Sequence, residues 1–291
     1  MMNEMLSNSL MFQLSKYTFQ SKKLKRGHHK GGHRSTKSGT SLDFSDYRSY
    51  QPGDDLRQID WNVYARTNKH YIKRFLDEQE LVVSVYLDCT NSMTIPPQKW
   101  KMASGLAASL GYLSLTSDDR VGIFPIGSET HPFSYKKGRA FSNRLVQYVE
   151  NVKPNNGPET FSESVQQLIQ PKSSFSIVIS DLLEPVEMVK SAFKKMQAYK
   201  QELYVIQILS AEEVSPNYQG DLELVDSETN DITNVSMNST VKRHYQQSIQ
   251  KHKEEILKFC HERGINFITC QANHSIEEII FNRLTSIGWI H

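Results

Sequence analysis

Three near-continuous apolar runs, at 81–87, 175–180 and 203–209, recur along this chain. A strand with one wet face alternates apolar and polar residues. A strand apolar at nearly every position is covered on both faces, as inside a parallel sheet. Between the runs, apolar residues fall at helical spacing: Ala103, Leu106, Ala107, Leu110 and Leu113; Phe141, Leu145, Tyr148 and Val149; Phe161, Val165, Leu168 and Ile169. Helices are expected over about 98–116, 140–152, 161–170, 185–200, 241–263 and 275–287, with Pro185 standing where a first-turn proline belongs. Further strands are expected at 70–75, 120–126, 131–135 and 266–270. Strands alternating with helices of this length indicate an α/β fold with a doubly wound, mostly parallel sheet. Residues 221–237 break the alternation and read as a β-hairpin insertion turning near Glu228-Thr229-Asn230.

At 291 residues the chain suffices for one large domain or two small ones, and its 23% charged and 38% hydrophobic residues are ordinary for a soluble globular protein. No window holds the apolar run of a membrane span. The start, Met1-Met2-Asn3-Glu4-Met5-Leu6, lacks the basic and apolar regions of a secretion signal. Cys89, Cys260 and Cys270 are an odd set without metal-ligand spacing, so reduced thiols and a cytoplasmic location are expected.

Charge divides the chain unevenly. Between Glu4 and Asp43 there is no acid, while Lys16, Lys22, Lys23, Lys25, Arg26, Lys30, Arg34 and Lys37 are basic. Residues 1–40 read as a basic, flexible N-terminal arm. No aromatic residue is interleaved between Lys22 and Lys37, so a solvated tail is expected in place of a nucleic-acid partner, and His28, His29 and His33 read as incidental. Residues 41–80 form a second, turn-rich segment around Pro52-Gly53-Asp54-Asp55, expected to pack on the main domain, 81–291.

Chemistry concentrates where the apolar runs end. Asp88-Cys89-Thr90-Asn91-Ser92 follows the first, Asp181 ends the second, and Thr160 enters the helix between them. Ligand sites in open α/β sheets gather at such strand ends. Asp88, Thr90, Ser92, Thr160 and Asp181 are hard oxygen donors, suited to Mg²⁺ or Mn²⁺. Each also has a local reading. Asp88 and Asp181 suit helix starts, and Thr160 with Glu163 forms a Thr-x-x-Glu capping box.

Asp-x-Thr-x-Ser, a loop Thr and a strand-ending Asp together resemble the metal-ion-dependent adhesion site of von Willebrand factor A domains. A second block carries a resemblance to the bacterial DUF58 family: Gly32-His33-Arg34-Ser35, Gly39, Phe44, Arg48-Ser49-Tyr50, Pro52-Gly53-Asp54-Asp55, Arg57, Ile59-Asp60-Trp61 and Ala65-Arg66, with Lys73, Phe75 and Glu80 leading into Leu87-Asp88. The resemblance implies a von Willebrand factor A-like, Rossmann-like fold with Asp88, Thr90, Ser92, Thr160 and Asp181 at the adhesion-site positions. It also implies action beside a MoxR-type AAA+ ATPase in assembly or maturation of other proteins. Two departures stand out: Thr90 replaces the usual Ser, and Gly157-Pro158-Glu159-Thr160 replaces a Gly-Gly-Thr loop.

A non-enzymatic interaction module is therefore expected, its cation taking an Asp or Glu from a protein partner. The alternative is a metal-dependent phosphoester hydrolase, for which the chain offers carboxylates but no convincing base, no Walker A loop and no Gly-x-Ser-x-Gly elbow. His131 and His274 stand isolated. The block 48–61 reads equally as a charged contact surface or as a structural plug in which Tyr50, Ile59 and Trp61 pack on the sheet.

Overall fold

The structure, a computed structural model, describes residues 5–20, 44–75, 81–154, 160–218, 220–225 and 231–291. It divides into two compact units, residues 24–80 and residues 1–23 with 81–291.

In the smaller unit, β1 (Phe44–Ser49) pairs antiparallel with β2 (Tyr71–Phe75). A 3₁₀ turn, Leu56–Gln58, and a helix, Trp61–Thr67, connect them. Gly53 takes the left-handed φ of +101° that the Pro-Gly turn demands. Arg48 closes that turn with a bidentate grip on Asp54, at 2.6 and 2.7 Å. Asp60 caps the helix through the amides of Asn62 and Val63, accepts the Tyr47 hydroxyl at 2.8 Å, and pairs with Lys73 at 3.1 Å. Arg48, Asp54 and Asp60 thus find their charge partners within the unit. Ile59 is buried, but Trp61 is 58% exposed, held edge-on by Tyr64 and His70 and not packed on a sheet.

The Tyr47 hydrogen bond, followed by Lys73 and the helix amides, overcomes burial and holds the Asp60 carboxyl down at about 2. A carboxyl that titrates lower folded than unfolded adds stability above the ordinary carboxylate range, and loses it as pH falls toward that value. Replacing Tyr47 by Phe should raise the Asp60 titration midpoint, read from its side-chain carboxyl shift by NMR. An unmoved midpoint would assign the effect to Lys73 and the amides alone.

In the larger unit, β3 (Val82–Asp88), β4 (Arg120–Ile126), β5 (Phe133–Lys137), β6 (Phe175–Ser180) and β7 (Glu202–Leu209) are followed by β8 (Gly220–Val225), β9 (Ile232–Met237) and β10 (Asn266–Gln271). Six form one sheet in the order β10-β7-β6-β3-β4-β5, parallel except where β5 runs against β4. The unit is a mixed α/β structure around a mostly parallel sheet, and β8 and β9 make the separate hairpin. The turn read at 228–230 lies outside the described residues. The helix Pro97–Thr116 buries Ala103, Leu106, Ala107, Leu110 and Leu113, the stripe its spacing announces. Cys89, Cys260 and Cys270 are free and buried. The last helix differs from the expected α-helix: Glu278–Leu284 is wound as a π-helix, with Ile279, Ile280 and Leu284 buried. Their spacing of four to five residues fits the wider π turn.

The arm expected over 1–40 is corrected in its first half. Residues 5–20 belong to the larger unit, where a helix, Asn8–Leu14, capped by Ser7, helps bury Leu6, Leu10 and Leu14. Leu10 and Leu14 stand four apart on one face of the helix, a pattern that the acid-free composition obscured. Thr18 and His291 exchange backbone hydrogen bonds at 2.9 and 3.1 Å. Phe19 packs on Phe175 at 4.8 Å between centroids, and Tyr204 stacks on Phe175 and meets Trp289 edge-on. The basic stretch from Lys22 to Lys37 lies outside the described residues. Phe19→Ala should cost about 3 kcal/mol in urea unfolding, the range for a buried Phe truncation. A loss below about 1 kcal/mol would return the segment to a loose tail.

Candidate functional site

Two neighbouring strands at the middle of the sheet lead the chain in opposite directions. From β3 it passes through the helix Pro97–Thr116 to β4 on one side; from β6, on the other side of β3, it continues to β7 and β10. Such a switch point leaves a crevice at the strands' carboxyl ends, where α/β proteins hold ligands. Asp88 ends β3 and Asp181 follows β6. Leu87 is in register with Ile179, so the next residues, Asp88 and Ser180, are neighbours. The Ser180 hydroxyl donates to Asp88 Oδ2 at 2.5 Å.

Asp88 Oδ1 accepts from the Thr90 amide at 2.9 Å and the Thr90 hydroxyl at 2.6 Å, and Thr90 Oγ1 lies 3.2 Å from Ser92 Oγ. Gly127, just beyond β4 with φ +76°, allows this close approach; a Cβ there would stand 3.1 Å from Thr90 Cγ2. Burial first, then the charge of Asp181, pushes the Asp88 carboxyl well above the usual carboxylate range, against the pull of its Ser180 and Thr90 donors. Asp88, Thr90 and Ser92 therefore form one oxygen cluster, with Asp181 close enough to act on it electrostatically.

Thr160 makes a different contact. It is the N-cap of the helix Phe161–Leu168, and its hydroxyl accepts from the Glu163 amide at 3.3 Å. Glu184, on the segment following Asp181, accepts from the Ser162 amide at 3.1 and 3.0 Å and ties that helix start to the β6 loop. Gly157, Pro158 and Glu159 lie outside the described residues.

The residue missed by sequence reasoning is Lys99. Its side chain is fully buried, and its ammonium donates to Asp181 Oδ2 at 2.7 Å, Glu213 Oε1 at 2.6 Å and the Ser92 carbonyl at 3.0 Å. An ammonium has three protons, and all three are used. Burial alone would lower the Lys99 pKa, but Asp181 and Glu213 more than reverse this and raise it. Glu213 is itself fixed by a capping box with Ser210, just beyond β7, and its Oε2 accepts the Ser210 amide at 2.7 Å. Both signals were in the sequence. Ser210-x-x-Glu213 follows an apolar run, and Lys99 lies four residues before Ala103 on the apolar stripe of its helix.

Two carboxylates, Asp181 and Glu213, thus share one ammonium, while Asp88 beside them is held by hydroxyl and amide donors. Among the described residues no three His, Cys, Asp or Glu side chains converge as a metal cage. A cation here would rest on Asp88 and Asp181 with the hydroxyls of Thr90 and Ser92, a donor set that fits a hard divalent ion. Removing one partner of a buried ion pair costs about 3–5 kcal/mol. Lys99→Met should lose that much in urea unfolding without divalent ions, and adding Glu213→Gln should recover part of it. If Lys99→Met unfolds like the wild type, the pairing does not support the rim.

Fold and rim together describe a mixed α/β protein with an acid- and hydroxyl-rich switch point. The family model "Protein of unknown function DUF58" matches residues 46–255, and the chain belongs to that family. It is similar to "Uncharacterized protein Rv1480" of Mycobacterium tuberculosis and "Uncharacterized protein Mb1516" of Mycobacterium bovis. Each is 22% identical over 236 residues, covering 78% of this chain and 74% of the relative. Among solved structures, a conserved hypothetical protein, BatB, from Bacteroides thetaiotaomicron is 17% identical with a TM-score of 0.40, covering 71% of this chain and 98% of that one. An aerotolerance-related membrane protein from Bacteroides fragilis is 14% identical with a TM-score of 0.36, covering 61% and 99%. Likenesses of that degree carry no argument about this chain. No helix among the described residues is long and apolar enough to cross a membrane.

Proposed function

We propose that the larger unit is a von Willebrand factor A-like module that binds a protein partner through a divalent cation, Mg²⁺ or Mn²⁺. One observation carries the reading: the Asp88 carboxylate and the hydroxyls of Thr90 and Ser92 converge at the sheet's switch point, with a second acid, Asp181, on the adjoining strand end. Burial and the charge of Asp181 disfavour the ionised form of Asp88, which a further cation would offset. Asp88, Thr90, Ser92 and Asp181 would hold the ion, and Thr160 would join from its loop. Bound there, the ion supplies a Lewis-acidic position that accepts a carboxylate oxygen from outside. The protein's own contribution is orientation: Ser180 and the Thr90 amide fix Asp88, while Lys99 and the Leu183 amide, 3.2 Å from Oδ1, fix Asp181.

The partner in this reading offers an Asp or Glu side chain, and the resemblance to the DUF58 family makes a MoxR-type AAA+ ATPase the first to try. The module itself is proposed to be non-enzymatic. Capture of that ATPase by the purified chain should occur in Mg²⁺ and be lost in chelator. Asp88→Ala should lose capture and Mn²⁺ binding together while keeping its circular dichroism spectrum. Mn²⁺ binding that survives Asp88→Ala would reject the rim as the site.

A further inference from the structure

The Lys99 ammonium holds one of the acids that the proposed ion would use, Asp181, and its geometry distinguishes it from an ordinary buried ion pair. Lys99 lies in the first turn of the helix Pro97–Thr116, where the helix dipole disfavours a cation. It is nevertheless buried there, and its three donors reach Ser92, Asp181 and Glu213 from three separate strand-end segments. Two of those residues, Ser92 and Asp181, belong to the proposed ion site. Asp181 spends Oδ2 on the ammonium and Oδ1 on the Leu183 amide, whereas Asp88 receives only hydroxyl and amide donors.

Resting on the reading above, we infer that Lys99 is a resident cation that keeps the rim's divalent affinity low by holding Asp181, so that the ion is held firmly only once a partner carboxylate completes the site. With Asp181 engaged, an incoming ion meets one carboxylate that no ammonium holds, Asp88, and the hydroxyls of Thr90 and Ser92. Such a set is weak for Mg²⁺ or Mn²⁺ by itself. A carboxylate from a partner supplies the missing charge, which makes ion and partner bind together. Glu213 has a distinct role: it shares the ammonium with Asp181, and through the capping box with Ser210 it fixes where that charge stands.

The test is Mn²⁺ titration of the full chain without any partner, following free Mn²⁺ by electron paramagnetic resonance. Lys99→Met should bind Mn²⁺ about ten-fold or more tighter than the wild type, since a positive charge beside the site is gone. It should also show a larger rise in melting temperature on adding Mn²⁺. Lys99→Met combined with Glu213→Gln guards against misfolding and against a mere change of net charge, because it removes one charge of each sign. It too should bind more tightly, since Asp181 is released. Tighter binding in both variants supports the inference, including the case where the wild type alone shows no saturation. If the wild type binds Mn²⁺ in an Asp88-dependent way and neither variant binds more tightly, Lys99 does not compete and the inference falls, while the metal reading stands. If the wild type and both folded variants all fail to bind, the metal reading falls and takes the inference with it.

Discussion

The contact on which the rim depends is the ammonium of Lys99. Taking a lysine out of water is expensive, several kcal/mol even after relaxation, and its attraction to carboxylates offsets this only when the geometry is good and every proton has a partner. Here each proton has one: Asp181, Glu213 and the Ser92 carbonyl. The same contact joins the turn after β3, the segment after β6 and the short helix Ala211–Val214 after β7 to the start of the helix Pro97–Thr116. One side chain therefore ties together three loops that separate strands deliver to the same edge, and Asp88 is positioned within the enclosure that results.

The sheet makes that enclosure possible. β3 and β6 are adjacent and parallel, so their carboxyl ends open at one edge, and a residue ending one strand meets its counterpart on the next. The Ser180 hydroxyl reaching Asp88 is the direct consequence of this register. Local chemistry then completes the arrangement. Thr90 folds back on Asp88 through both its amide and its hydroxyl, and Gly127 leaves room for its methyl group. The π-wound stretch Glu278–Leu284 and the Phe19–Phe175–Tyr204–Trp289 cluster serve the core and not the rim.

Much of this was legible in the residues, for identifiable reasons. Strands covered on both faces give apolar runs, and β4 and β6 fall at the expected 120–126 and 175–180. The runs also marked where the chemistry would lie, because each ends in an oxygen-bearing side chain. Thr160 shows the limit of pattern reading: the same Thr-x-x-Glu spacing serves a helix cap and an ion site, and the hydroxyl here accepts from the Glu163 amide. Lys99 was overlooked because lysine is ordinarily counted as surface. Its place at the head of an apolar stripe, followed by Ala103 and Leu106, marked it as buried, and no single-residue preference could say what would neutralise it. The helix Asn8–Leu14 was hidden in a similar way, its two leucines outweighed by the basic composition around them. Trp61 shows a choice that the residues left open: its block reads equally as a packed plug or as a contact surface, and this aromatic stands exposed against Tyr64 and His70.

At the centre of this account is the proposal that the acid- and hydroxyl-bearing edge of the sheet takes one divalent cation. Crystals soaked in excess MnCl₂, enough to fill a weak site, and measured for anomalous scattering would address that most directly. The account requires a peak bonded to the carboxylate of Asp88 and the hydroxyls of Thr90 and Ser92. Well-ordered crystals with manganese elsewhere, or nowhere, and Asp88 still enclosed by Thr90 and Ser180 alone, would contradict it.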